Sequence, residues 1–170
     1  LDAGAAWLLR LGPTGLYLDT LVVGVQDGAA TGAAVATGDV DGDGLTDLVI
    51  GAPGRDDGTG GIYVITDISP GALKATAGLL VTAPGASGLG GALAVADLDG
   101  DGVADLVAGS PLEGGVGAVR IWFGPLGSGD EADITLAGPG PKSRFGAAVA
   151  AVSDRDGDGL GELLVGAPGD

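Results

Sequence analysis

The sequence predicts an all-β fold of four-stranded antiparallel blades, about three blade equivalents of a β-propeller, and three observations lead there. A nine-residue acidic loop begins at Asp39, Asp97 and Asp154, and each copy is followed by an apolar triplet and then Gly-x-Pro. The first Asp and that Gly keep one spacing every time, 39 to 51, 97 to 109 and 154 to 166. Each loop lies in a unit of about 57 residues holding four short apolar segments separated by turn residues, which is the make-up of a propeller blade. Finally, the chain of 170 residues contains 37 Gly and 9 Pro. These interrupt every run before a helical period develops, so helical repeats are disfavoured.

Taken in order, residues 4–11 carry Trp7, Leu9 and Leu11 at alternate positions, a strand that Gly12-Pro13-Thr14-Gly15 ends as a turn. The phrase returns at residues 117–125, with Val119, Ile121 and Phe123 in the columns of Trp7, Leu9 and Leu11. Residues 61–65 put Tyr63 and Ile65 in the same columns. Large rings usually serve burial, so Trp7 and Trp122 read as packing residues, with sugar stacking as the alternative. A further strand follows each: 16–23, 79–83 and 134–137. Loops then lead to Thr31-Gly32, Leu89-Gly90 and Phe145-Gly146, and from each runs a stretch of small residues, 33–37, 92–96 and 147–152. Ala and Gly are poor strand formers; crowding near a common axis is the physical reason to place them there. The acidic loop comes next, followed by Leu48-Val49-Ile50, Leu106-Val107-Ala108 or Leu163-Leu164-Val165. The chain thus supplies twelve expected strands: the last two of one blade, two whole blades, and the first two of another.

The acidic loops point to a hard divalent cation. Asp39, Asp41, Asp43 and Asp47 occupy positions 1, 3, 5 and 9 of the first loop; Asp97, Asp99, Asp101 and Asp105 those of the second; Asp154, Asp156, Asp158 and Glu162 those of the third. Alternating carboxylates in a tight turn converge on one point, and the Gly at position 6 permits the reversal. The position-7 carbonyls of Leu45, Val103 and Leu160 are the expected backbone ligands, and the position-9 carboxylate closes the site. Ca²⁺ suits this set, up to three ions in all, because it accepts six to eight oxygens in flexible geometry whereas Mg²⁺ demands a strict octahedron. Asp-Gly clusters are also ordinary turn residues, but three copies in one register mark a structural unit. An EF-hand would need Glu at position 12 and flanking helices, and that position is Gly51, Gly109 and Gly166.

The formal charge of −16 comes from 23 acidic and 7 basic residues, and twelve of the acids lie in the three loops. No basic stripe exists, so nucleic acid is disfavoured as a partner. His and Cys are both absent, which excludes softer metal sites built on them and leaves no nucleophile constellation. The chain is therefore read as non-catalytic. A mean hydropathy of +0.43 argues against disorder. There is no signal peptide and no apolar run of eighteen residues, hence no expected membrane-spanning segment. The start at Leu1 suggests a piece of something longer. Weak calcium sites suit the millimolar calcium outside cells, so an extracellular or cell-surface setting is expected.

Phe145-Gly146, the acidic loop, and Gly166-Ala167-Pro168 together resemble the FG-GAP repeat of the integrin α-subunit propeller. The first two copies are looser, with Thr31-Gly32 and Leu89-Gly90 at the first motif and Gly109-Ser110-Pro111 in the second copy. The third has one extra residue before its loop and Glu162 at position 9, departures that bear on that site's affinity. The resemblance covers nearly the whole chain. It implies one segment over 1–170, with repeats at approximately 31–88, 89–144 and 145–170, and 1–30 completing a preceding blade. It also implies calcium loops between strands 1 and 2 on one face and ligand contacts from the opposite face. Loops 55–59, 84–88, 112–115 and 138–144, with Lys142 and Arg144 as the basic pair, are the candidates there. The expected work is binding a protein or glycan ligand, as in cell adhesion; a lectin-like propeller, or the accessory propeller of a secreted hydrolase, is the alternative. Three blade equivalents do not close a ring. Further blades or self-association must complete it, and the aggregation hazard of open edges favours further blades.

Overall fold

The computed structural model describes residues 2–66, 68, 71–74, 78–127, 129–152 and 154–169, with 71–74 described by backbone alone. Nearly all regular structure is strand. One four-stranded antiparallel sheet has the order β3 (Val35–Gly38), β4 (Asp47–Gly51), β5 (Ile62–Ile65), β7 (Leu79–Val81). A second repeats it as β8 (Ala92–Ala96), β9 (Asp105–Ser110), β10 (Ala118–Trp122), β11 (Ile134–Ala137). The hairpin β12 (Ala148–Val152) and β13 (Glu162–Gly166) supplies strands 1 and 2 of another blade. At the other end β1 (Ala5–Gly12) and β2 (Gly15–Val23) supply strands 3 and 4. The strand order within each blade is the one expected. A strand that no sequence pattern announced, β6 (Gly71–Lys74), adds in parallel to the outer edge of β2.

The burial pattern follows from stacking these sheets face to face. Strands 2 and 3 of each whole blade are buried along their full length, because a neighbouring sheet covers each side. Between the whole blades, Val49, Ile62 and Val64 of the first pack with Leu106, Ala108 and Trp122 of the second. Burying a side chain of this size contributes about 1.5–3 kcal/mol. Two further clusters repeat the arrangement at the outer boundaries. The small-residue strands β3, β8 and β12 lie innermost and pack in succession. A Cβ on Gly38 would overlap the side chain of Val95, so the crowding inferred for these runs is real.

The two short motifs meet through backbone alone, first by a hydrogen bond within each blade and then by close approach to the neighbouring blade. The amide of Gly32 donates to the carbonyl of Gly51 (2.9 Å), that of Gly90 to Gly109 (3.2 Å) and that of Gly146 to Gly166 (3.1 Å). The residue before each of these glycines bridges the preceding blade: Thr31 to Gly4, Leu89 to Gly60 and Phe145 to Gly117. Gly90 and Gly146 adopt φ of +86°, and a Cβ on Gly51 or Gly109 would overlap the carbonyl oxygen of the next blade's Gly90 or Gly146. Glycine is required there by close backbone approach.

One sequence alignment is corrected. The bridges make Gly4, Gly60 and Gly117 equivalent, so Trp7, Tyr63 and Arg120 share a column and Val119 does not. The stretch from Gly4 to Gly12 is one residue longer than that from Gly117 to Gly124, so aligning on Gly12-Pro13 and Gly124-Pro125 set the columns one residue off; the register shift between Leu8 and Leu9 leaves Asp19 of β2 unpaired. That column faces the preceding blade. Tyr63 is buried there, whereas Trp7 is 64 % exposed and so departs from the packing role expected for it. Trp122 fulfils that role: it is buried, with its indole N–H donating to the Asp130 carbonyl (3.3 Å), which removes it as a sugar platform.

Candidate metal centres

Each acidic loop joins an inner strand to the fully aliphatic one, and its carboxylates first organise the turn itself. In the first loop Asp39 accepts from the amides of Gly42 (2.8 Å) and Gly44 (2.9 Å), Asp41 from Asp43 (3.1 Å), and Asp43 from Leu45 (2.7 Å). The second loop repeats this set with Asp97, Asp99 and Asp101, and the third with Asp154, Asp156 and Asp158. Using one oxygen of a carboxylate this way leaves the rest of its acceptor capacity for a cation. The amides of Gly159 and Gly157 hold Asp154 below the usual carboxylate range.

The result is three compact acidic clusters. Asp39, Asp41 and Asp43 bring an oxygen each within 4.8 Å of one another, as do Asp97, Asp99 and Asp101. In the third loop the cluster is Asp154, Asp156 and Glu162, and Asp158 stands outside it. The longer Glu reaches where Asp47 and Asp105 do not. Leu45, Val103 and Leu160 sit at the loop exits, with their amides bound to the position-5 carboxylates.

Position 9 also has a task within the fold itself. Asp47 and Asp105 are fully buried, and each accepts from the amide of the residue at position 2, Val40 (2.8 Å) or Leu98 (2.6 Å). In the third loop Glu162 accepts from Arg155 in the same place (3.0 Å). Asp105 also accepts from Gly124 (2.9 Å). Asp47 Oδ1, by contrast, is buried and has no hydrogen-bond partner among the described residues. Burial pushes both carboxyls above the usual range against the pull of their amide donors, and the loop acids Asp41 and Asp43, or Asp99 and Asp97, push the same way. A divalent cation reverses that balance, since it supplies the positive charge the site lacks.

The residues that seat the loops were not legible as site residues. Val40 and Leu98 are buried and give both an apolar plug and the amide that takes the position-9 carboxylate. Their signal is an apolar residue amid acids; Arg155 breaks it in the third copy. Adjacent loops are also joined, by Ala104 N–H to Asp39 (2.9 Å) and by Gly161 N–H to Leu98 (3.0 Å).

The loops at the opposite ends of the strands are knitted to one another. Gly88 N–H donates to Gly58 (2.8 Å) and Lys142 N–H to Gly115 (2.6 Å), across neighbouring blades. Arg55–Gly58 and Glu113–Gly115 form short helical turns. Arg120 lies beneath them, buried and held in a two-pronged pair with Glu113 (2.5 and 2.8 Å).

Comparison with known proteins gives the chain its relatives. The FG-GAP repeat model matches residues 31–65 and 89–122. The chain is 38% identical over 160 residues to integrin alpha-PS5 of Drosophila melanogaster, a match covering 86% of this chain and 16% of that protein. It is 36% identical over 128 residues to integrin alpha-3 of Cricetulus griseus, covering 71% and 12%. It is also 37% identical over 121 residues to phosphatidylinositol-glycan-specific phospholipase D of Rattus norvegicus, covering 66% and 14%. The chain therefore spans only a small part of each relative's length.

Proposed function

Because the chain carries FG-GAP repeats and is similar to integrin α subunits over most of its length, we propose that it is a calcium-stabilised, non-catalytic binding module that works outside the cell or at its surface. The observation that carries the calcium reading is the buried, unpartnered Oδ1 of Asp47 in the same loop as a three-carboxylate cluster, two of whose members, Asp41 and Asp43, act on it electrostatically. An acceptor left in that state is costly, and a hard cation satisfies it. Asp39, Asp41, Asp43 and Asp47 would hold the first ion with the Leu45 carbonyl. Asp97, Asp99, Asp101, Asp105 and Val103 would hold the second. Asp154, Asp156, Asp158, Glu162 and Leu160 would hold the third, with Glu162 in closer company than its counterparts. The bound ions pin the turn between strands 1 and 2, so their binding free energy adds to that of folding. At 100-fold saturation each site contributes about 2.7 kcal/mol.

A melting curve tests this. With millimolar calcium the transition rises by several degrees and a chelator reverses it; identical curves in the two conditions would refute the reading. The ligand is proposed to be a protein bound at the loops opposite the cation sites, 55–59, 84–88, 112–115 and 138–144. The similarity to a phospholipase supports a second reading, an accessory propeller of a hydrolase whose catalytic groups lie in another domain. Lipid-hydrolase activity in a chain containing these 170 residues plus a further domain, absent when that domain is deleted, would favour it.

A further inference from the structure

Val40 and Leu98, the buried apolar residues at position 2 of the first two loops, each reach in two directions. Through its amide each holds the position-9 carboxylate of its own loop, Val40 that of Asp47 (2.8 Å) and Leu98 that of Asp105 (2.6 Å). Through its carbonyl each accepts from the following blade, Val40 from the amide of Leu126 (2.7 Å) and Leu98 from that of Gly161 (3.0 Å). Both donors are tied to the next loop's own position 9. Gly161 directly precedes Glu162, and Leu126 lies two residues beyond Gly124, whose amide donates to Asp105 Oδ1 (2.9 Å). A continuous backbone route thus joins Asp47 to Asp105, and Asp105 to Glu162. A second contact runs beside it at the first boundary. The amide of Ala104, next to Asp105, donates to the Asp39 carbonyl (2.9 Å), and a Cβ on Gly42 would touch the Val103 side chain (3.4 Å).

We propose that this route couples the cation sites, so that neighbouring loops fill with calcium cooperatively; the inference rests on the calcium reading of the loops. An ion that fixes one loop fixes its position-9 carboxylate, and with it the amide that Val40 or Leu98 of the preceding loop accepts. The preceding loop then loses less conformational entropy when it orders around its own ion. Direct charge works against this, because an ion in one loop weakens the acidic field that draws in the next. The clustered carboxylates are exposed or half-buried, so their interaction is screened over about 8 Å at physiological ionic strength. Val40 and Leu98 are buried, and hydrogen bonds made there escape that screening. The backbone contribution therefore prevails in salt, and cooperativity sharpens as ionic strength rises.

Calorimetric calcium titration of the 170-residue chain at physiological salt tests this, with native mass spectrometry resolving species that carry one, two and three ions. The expected Hill coefficient is about 1.5, with partly loaded species scarce at half saturation. In Asp99→Ala, whose second loop is disabled, the first and third sites still fill, but with dissociation constants raised roughly fivefold or more. Gly124→Ala separates coupling from binding. Its Cβ would overlap the Val103 side chain (2.5 Å) and crowd the Ala104 carbonyl (2.9 Å), which displaces the route without removing any proposed ligand side chain. Three ions then bind with a Hill coefficient of about 1, while Gly140→Ala, in open space, keeps the wild-type curve. Hydrogen exchange reads the coupling with the route intact: in Asp41→Ala, calcium entering the second loop slows exchange of the Val40 amide. Non-cooperative filling of the wild-type chain, unshifted affinities in Asp99→Ala or a Val40 amide indifferent to the second ion would overturn the coupling and leave the calcium reading standing. A chain that binds no calcium would overturn both.

Discussion

Asp47 carries two opposed demands on one side chain. Its Oδ2 is tied to the Val40 amide, while its Oδ1 is buried without a partner. Without a cation, burial and the neighbouring loop acids raise its pKa, and the same holds for Asp105. A raised value in the folded state means these groups favour folding most below the ordinary carboxylate range and lose that contribution as pH rises through the raised value. The chelated protein is therefore expected to lose stability from them on going from acid to neutral pH. The calcium-loaded protein moves the other way, since protons compete with the ion. Asp47→Asn keeps an oxygen for Val40 and removes the charge. Its expected effect is neutral or stabilising in chelator and a loss of about 1–3 kcal/mol in saturating calcium. Denaturant titrations at pH 5 and 7.5 check it, and equal destabilisation in both conditions would show a purely structural role. The alternation of Asp and Gly made the loop legible in the sequence. Which carboxylate is buried was not, because this depends on the Val40 and Leu98 amides, and an amide has no side-chain signature.

At the level of the element, the FG and Gly-x-Pro motifs act as backbone contacts. Gly109 lies under the Gly146 carbonyl of the next blade, where no Cβ fits. Gly109→Ala is expected to cost roughly 1–3 kcal/mol by overpacking, while Gly140→Ala, in open space, stays within about 0.5 kcal/mol. Equal effects in equilibrium unfolding would show that the motifs are not blade fasteners. Strand order within a blade was readable because each apolar run is bounded by turn residues and the unit repeats. Two things escaped. The longer stretch from Gly4 to Gly12 moved Trp7 out of the column of Val119 and into that of Tyr63 and Arg120, and the bulge at Asp19 of β2 that accompanies it has no signature in composition. Strand β6 was also unread: it pairs with β2 across a long sequence separation, and its composition of Gly, Ala, Leu and Lys has no alternating pattern.

For the whole molecule the decisive quantity is charge. Twelve of the 23 acids behind the net −16 lie in three loops on one rim, where their self-repulsion opposes folding, and those loops are hydrogen-bonded to one another through Ala104 and Gly161. On the proposed function, divalent ions along that rim would convert the repulsion into adhesion between successive blades. Counting those ions is the most direct test. Native mass spectrometry of the chain dialysed into dilute calcium is expected to find three ions bound, and two in the Asp99→Ala variant. A wild-type chain that carries no calcium under those conditions, or an Asp99→Ala chain that still carries three, would contradict the assignment.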